Sequence, residues 1–177
     1  MIKKIMASLL AALCVLSMAL VPALAESQEA EPEAQNSDLP IVADLELRFG
    51  WGGKTYILHM YDNDTAVALV RALGSNDMNL PIYNYDNFEG WEFMTYYDIN
   101  ARDIPSNPET ITSVKAGEVY YSDPRRVILI YRDAELTGEY TRVGYVDIDD
   151  EFSDTVDQNP VLDGWGNKII AVRRAPD

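Results

Sequence analysis

The sequence predicts a mostly β, antiparallel barrel with one or two short helices. Three observations support this. Apolar and polar residues alternate with period two in several short runs, LELRF and KTYILHMY most clearly. Turn residues recur every few positions between those runs. Only two segments, AVALVRAL and Phe152 to Val156, have helical character, and both are short.

Taken in order, Leu45, Leu47 and Phe49 share one face of the first strand, with Glu46 and Arg48 on the other. Tyr56, Leu58 and Met60 repeat the pattern in the second. Gly50-Trp51-Gly52-Gly53 between them allows positive φ and a tight reversal, so a hairpin is expected. Asn63 is a good N-cap, and Asp64 sits near the positive end of the helix dipole. Ala66, Leu69, Val70 and Leu73 then form a stripe at helical spacing. A helix this short is stable only when packed on a sheet.

MNLPIYNY and EGWEFMTYYDI read as the next strands, with Trp91, Phe93 and Tyr97 assigned to the core by parity. Asn100 to Thr112 is polar and rich in Pro and Asn, and reads as a mobile loop. Val119 to Tyr121, Arg126 to Arg132, Arg142 to Ile148 and Lys168 to Arg173 complete the strands. RVILIYR is apolar on both parities, so it is expected to be central and covered on both faces.

The N-terminus reads as an export signal. Lys3 and Lys4 precede the low-polarity run Ile5 to Val21, and Ala23-Leu24-Ala25 supplies a peptidase site. Cleavage after Ala25 is expected, leaving no stable transmembrane anchor and a secreted or cell-envelope protein. Residues 26–40 are acidic with few large apolar side chains, and read as a disordered linker. The folded domain is placed at 41–175. Cys14, the only cysteine, falls inside the leader, so no disulfide or thiolate chemistry is expected beyond it.

With 29 acidic against 14 basic residues the formal net charge is −15. Such a surface repels nucleic acid, and no nucleic-acid partner is expected.

No strong catalytic or cofactor motif emerges. The single histidine, His59, lies in a strand without Ser/His/Asp spacing around it. The acidic run Asp147 to Glu151 fails the EF-hand pattern, with Phe152 where glycine is needed and Gln158 where glutamate is needed; capping of the short helix accounts for several of its acids. Glycines 50, 52 and 53 do not join a strand to a helix, so they form no phosphate loop. No metal and no cofactor are expected.

The segments LELRFGWGGKTYILHMYDNDTAVALV, GEVYYSDP, RVILIYRD, RVGYVDID and NKIIAVRR, in that order, resemble the small bacterial cyclophilin-like proteins. The resemblance runs from Leu45 to Arg174 and implies a closed, eight-stranded barrel capped by helices. It departs from the family where Ser122-Asp123-Pro124-Arg125-Arg126 replaces a Trp-Gly-Asn turn. True cyclophilins hold and polarise a prolyl bond with arginine, aromatics, glutamine, tryptophan and histidine. Their Phe-His-Arg and Gln-Phe-Phe segments have no counterpart here. The resemblance therefore implies the fold without the isomerase.

The richest remaining signal is aromatic. Glu92 and Tyr96 share one parity, as do Glu118 and Tyr120 in their strand, with Arg126 nearby in sequence. A groove lined by Glu92, Tyr96, Tyr120 and Arg126 is the expected binding surface, for a peptide or small organic ligand. The functional expectation is a non-catalytic binding or accessory module; the alternative is a diverged peptidyl-prolyl cis-trans isomerase.

Overall fold

The structure is a computed structural model that describes residues 39–73, 77–86 and 90–176. The expected export signal, and the linker up to residue 38, lie outside the described residues. Of the linker's last residues, Pro40 accepts a hydrogen bond through its carbonyl from Asp62 N at 2.7 Å.

Among the described residues nine strands and two helices follow one another as β1 (Ile41–Phe49), β2 (Thr55–Tyr61), α1 (Asp64–Leu73), β3 (Met78–Ile82), β4 (Met94–Asp98), β5 (Glu109–Val114), β6 (Glu118–Ser122), β7 (Arg126–Ile130), β8 (Ala134–Val146), α2 (Phe152–Asp157) and β9 (Lys168–Arg174). Eight strands form an antiparallel path in the order β3-β9-β1-β2-β8-β6-β7-β4. The path bends into an eight-stranded barrel that is nearly closed. No backbone ladder joins its two ends, β3 and β4; Tyr83 N donates to Tyr96 O across the seam at 3.0 Å. The ninth strand, β5, lies off the path and pairs only with β8.

The hairpin forms where the glycines allow it. Gly50 has φ 69°, and β1 and β2 pair from Arg48–Thr55 back to Ile41–Tyr61. Asn63 Oδ1 accepts from Ala66 N at 2.9 Å, which makes it the side-chain cap of α1. The expected capping of α2 takes another form. Glu151 occupies its N-cap position with no side-chain cap hydrogen bond, while Asp149 accepts from Glu151 N at 3.1 Å.

The barrel interior holds the main core, including Leu45, Leu47, Leu58, Val119, Val127 and Leu129. Both helices feed it. Ala66, Leu69 and Val70 enter from α1, which follows the end of β2 that pairs with the start of β1. Phe152 of α2 meets Phe49 and Tyr56 edge-on at 6.3 and 5.1 Å, at the opposite end of β1.

A second apolar cluster lies outside the barrel wall. Strand β8 is 13 residues long; its later half pairs with β2 and β6, while its first half leaves the wall and pairs with β5. This β5–β8 arm folds over the outer faces of β4, β6 and β7. Ile111, Val114, Leu136 and Tyr140 thereby cover Met94, Tyr120, Ile128 and Ile130. In β7, Val127 and Leu129 face the interior while Ile128 and Ile130 face the arm. Coverage of both faces of RVILIYR is thus achieved by one strand crossing from the wall to the outside.

Two sequence expectations are corrected. Glu109 to Thr112 belongs to β5, and Glu135 to Thr141, to which no strand was assigned, is the first half of β8. Trp91 is not core: residues 90–93 are turn, β4 starts at Met94, and Trp91 is 39 % exposed.

Candidate functional site

Register brings the expected site residues to one face. Tyr96 and Tyr120 both lie opposite Ile128, on β4 and β6 respectively, and Arg126 lies opposite Asp98 and Ser122. The Arg126 side chain reaches along the sheet to Tyr96, where its guanidinium sits 4.2 Å from the ring centroid. Among the described residues it forms no ion pair. Glu92, in the turn before β4, stands exposed at the same edge. Glu92, Tyr96 and Arg126, with Phe93, Ile128, Leu136 and Tyr140, line a groove of about 300 Å³ between the barrel wall and the β5–β8 arm.

Tyr120 is not part of the groove lining. It is 1 % exposed, buried beneath the groove with its ring 6.1 Å from that of Tyr140. Its hydroxyl donates to Glu118 Oε2 at 2.8 Å, and its pKa is pushed up by burial and by the Glu118 charge. Parity placed Tyr120 on the correct face, but the arm that covers it comes from distant sequence.

Glu118 itself is 6 % exposed and fully engaged. Oε2 also accepts from Lys115 N at 2.7 Å, and Oε1 accepts from Arg142 Nη1 at 3.0 Å. Arg142 in turn lies 5.5 Å over the Tyr120 ring. This buried set locks β6 to β8 beneath the groove floor. Sequence reasoning singled out Glu118 only by its parity with Tyr120; its pairing with Arg142 had no local signal.

Several other acids near the end of β8 and in α2 are held by cations. Lys54 pairs with Asp149 and Glu151, and Arg132 pairs with Asp157. His59 lies between Asp44 and Asp147, with Nδ1 2.7 Å from one carboxylate and Nε2 2.9 Å from the other. Among the described residues no group of three or more His, Cys, Asp or Glu side chains is arranged to hold a metal. Nor is any described helix long and apolar enough to cross a membrane. The outer groove offers one unpaired guanidinium, aromatic edges and an apolar floor, a combination suited to holding a ligand.

Fold and groove together define an antiparallel β-barrel with a ligand-sized cleft under an external arm. Residues 49–162 match the model of the Cyclophilin-like family, and the chain belongs to that family. Among solved structures, that of McbB in complex with tryptophan is similar, with a TM-score of 0.53 and 16 % identity. The match covers 75 % of this chain and 45 % of that one, so the chain corresponds to less than half of its length. At that identity the likeness shows the fold. Among curated proteins, no relative matches the sequence.

Proposed function

We propose that this protein is a non-catalytic binding module that acts outside the cytoplasm, and that the groove beside Tyr96 takes a short peptide or small organic ligand. One observation carries the reading: the Arg126 guanidinium lies on the Tyr96 ring at the mouth of an apolar groove without forming an ion pair among the described residues. An arginine stacked on an aromatic face is pre-oriented for a carboxylate, while Phe93, Leu136 and Tyr140 supply apolar walls. McbB, the similar solved structure, was determined with tryptophan, which supports a small-ligand reading for a barrel of this fold. The leader-like residues 1–25 support export.

Calorimetric titration of the protein with N-acetyl-Ala-Leu-Phe, which carries apolar side chains and a free carboxylate, tests the groove. Saturable binding that weakens at least tenfold in Arg126→Ala and in Tyr96→Ala is expected. Binding indifferent to both substitutions would refute it. Amino-terminal sequencing of protein recovered from outside the cytoplasm should begin at Glu26; an intact Met1 terminus on a cytoplasmic protein would refute export. The isomerase alternative predicts accelerated exchange of a prolyl bond.

A further inference from the structure

The seam of the barrel contains a second cavity. Because β3 and β4 are held together by the Asn84 side chain and one backbone bond instead of a ladder, the wall does not close fully there. A cavity of about 160 Å³ results, walled by Ile82, Val156, Tyr85 and Trp91.

Asn84, Tyr131 and Asp157 also line it, with their side chains engaged by the β4 backbone, Trp91 O and Arg132 respectively; Thr95 and Lys168 are the polar groups left to meet a ligand. Thr95 on β4 is 5 % exposed and its Oγ1 has no hydrogen-bond partner among the described residues. A buried hydroxyl left without a partner is a free-energy cost that native structures seldom carry without a use. Lys168, at the start of β9, brings the second group. Its Nζ donates to the backbone carbonyl of Asp157 at 3.1 Å and lies 5.3 Å from the Tyr85 ring centroid. The carboxylate of Asp157 is taken by Arg132. Burial lowers the Lys168 pKa, with the charges of Asp157 and Asp86 acting the other way. The cavity is thus an apolar slot between two aromatic rings, with one ammonium and one hydroxyl group aimed into it.

We propose that this slot is a second binding site, for a small carboxylate with a flat apolar body of about the size of benzoate. The carboxylate accepts from Lys168 Nζ, the ring lies against Trp91 and Tyr85, and the Thr95 hydroxyl supplies the remaining polar contact. An anion suits the site because the ammonium is partly withdrawn from water and, among the described residues, has no carboxylate in ion-pair contact, Asp157 and Asp86 acting on it only at longer range. A charge-assisted hydrogen bond in such a place is stronger than one in water. The site is separate from the outer groove, and Tyr96 and Arg126 do not line it.

Calorimetry of the full chain with sodium benzoate, and with benzamide as its neutral counterpart, tests the proposal. Benzoate should bind saturably and benzamide at least tenfold more weakly. Lys168→Gln should weaken benzoate by about tenfold or more, and Thr95→Val by about threefold or more. Thr95→Ser, which keeps the hydroxyl, should retain affinity. Thr95→Val should also raise the thermal midpoint, since it removes a buried unpaired hydroxyl: affinity falls while stability rises, which simple structural damage would not produce. Absence of saturable benzoate binding, equal affinity for benzamide, or wild-type affinity in Lys168→Gln would overturn the assignment.

Discussion

The carboxamide of Asn84 stands in for a strand against the backbone of Tyr96. Its Oδ1 accepts from Tyr96 N at 2.7 Å and its Nδ2 donates to Met94 O at 2.9 Å. Asn84 is completely buried, so both bonds are made away from water. One side chain satisfies a donor and an acceptor of β4 where no ladder with β3 exists. In doing so it aligns Tyr96 at the outer groove and Thr95 at the inner slot.

Asn84→Ala should therefore destabilise the protein by about 2–4 kcal/mol, because it orphans a buried N–H and C=O together. Urea unfolding measures this directly. Asn84→Asp should also be damaging, since a carboxylate keeps the acceptor but puts charge against Met94 O. Near-native stability in both variants would mean that the seam is held by other contacts.

His59 ties β2 to Asp44 of β1 and to Asp147 just beyond β8. Only the doubly protonated ring donates to both carboxylates; the neutral ring has one N–H. Burial by itself would lower the pKa, but the bonds and charges of Asp147 and Asp44 outweigh it, and the net displacement is upward from 6.5. A folded value above the unfolded one means that the stabilisation is fully present below about pH 6.5 and fades as pH rises through the folded value. Thermal midpoints of wild type and His59→Gln should therefore differ most at about pH 5–6 and converge in the alkaline direction. A gap that widened above neutrality would contradict the clamp.

The Glu118–Arg142 pair is the most buried ion pair among the described residues, with side chains only 8 % and 23 % exposed. Removing the acid alone leaves a guanidinium largely buried without its closest partner. Glu118→Ala should cost about 3–5 kcal/mol, and combining it with Arg142→Ala should recover part of that loss. A double-mutant cycle by chemical denaturation checks the sign and size of the coupling. Additive losses would show that the two residues act independently.

What could be read from sequence was what is encoded locally. The β1–β2 hairpin, the Asn63 cap and the two-faced burial of RVILIYR all announce themselves within a dozen residues. Strand β5 did not, because ETITSV buries only Ile111 and Val114 and looks polar. The first half of β8 has Leu136 and Tyr140 at even spacing, a period-two signal obscured by Gly138 and flanking glutamates. Missing that arm led to Tyr120 being assigned to the groove lining, because what buries it comes from β5 and β8. Glu92, Tyr96 and Arg126 were legible as neighbours by parity and proximity. The seam slot was not, since Thr95, Lys168 and Trp91 meet only when the barrel curls.

Substitutions at the groove's rim should separate binding from folding. Tyr96→Ala and Arg126→Ala remove partly exposed and exposed side chains, so each should cost about 1 kcal/mol or less in stability. Urea midpoints close to wild type are the expected result, and a loss of several kcal/mol would make the pair a structural element.

The most direct test of the whole account is a two-dimensional NMR exchange experiment on a short carboxylate-bearing peptide that contains an Ala-Pro bond, recorded with the protein present. Binding without catalysis predicts amide shifts centred on Tyr96, Ser122, Arg126 and Leu136, with the cis–trans exchange rate of the peptide unchanged. Accelerated exchange that is lost in Arg126→Ala would contradict it and make the groove an isomerase site.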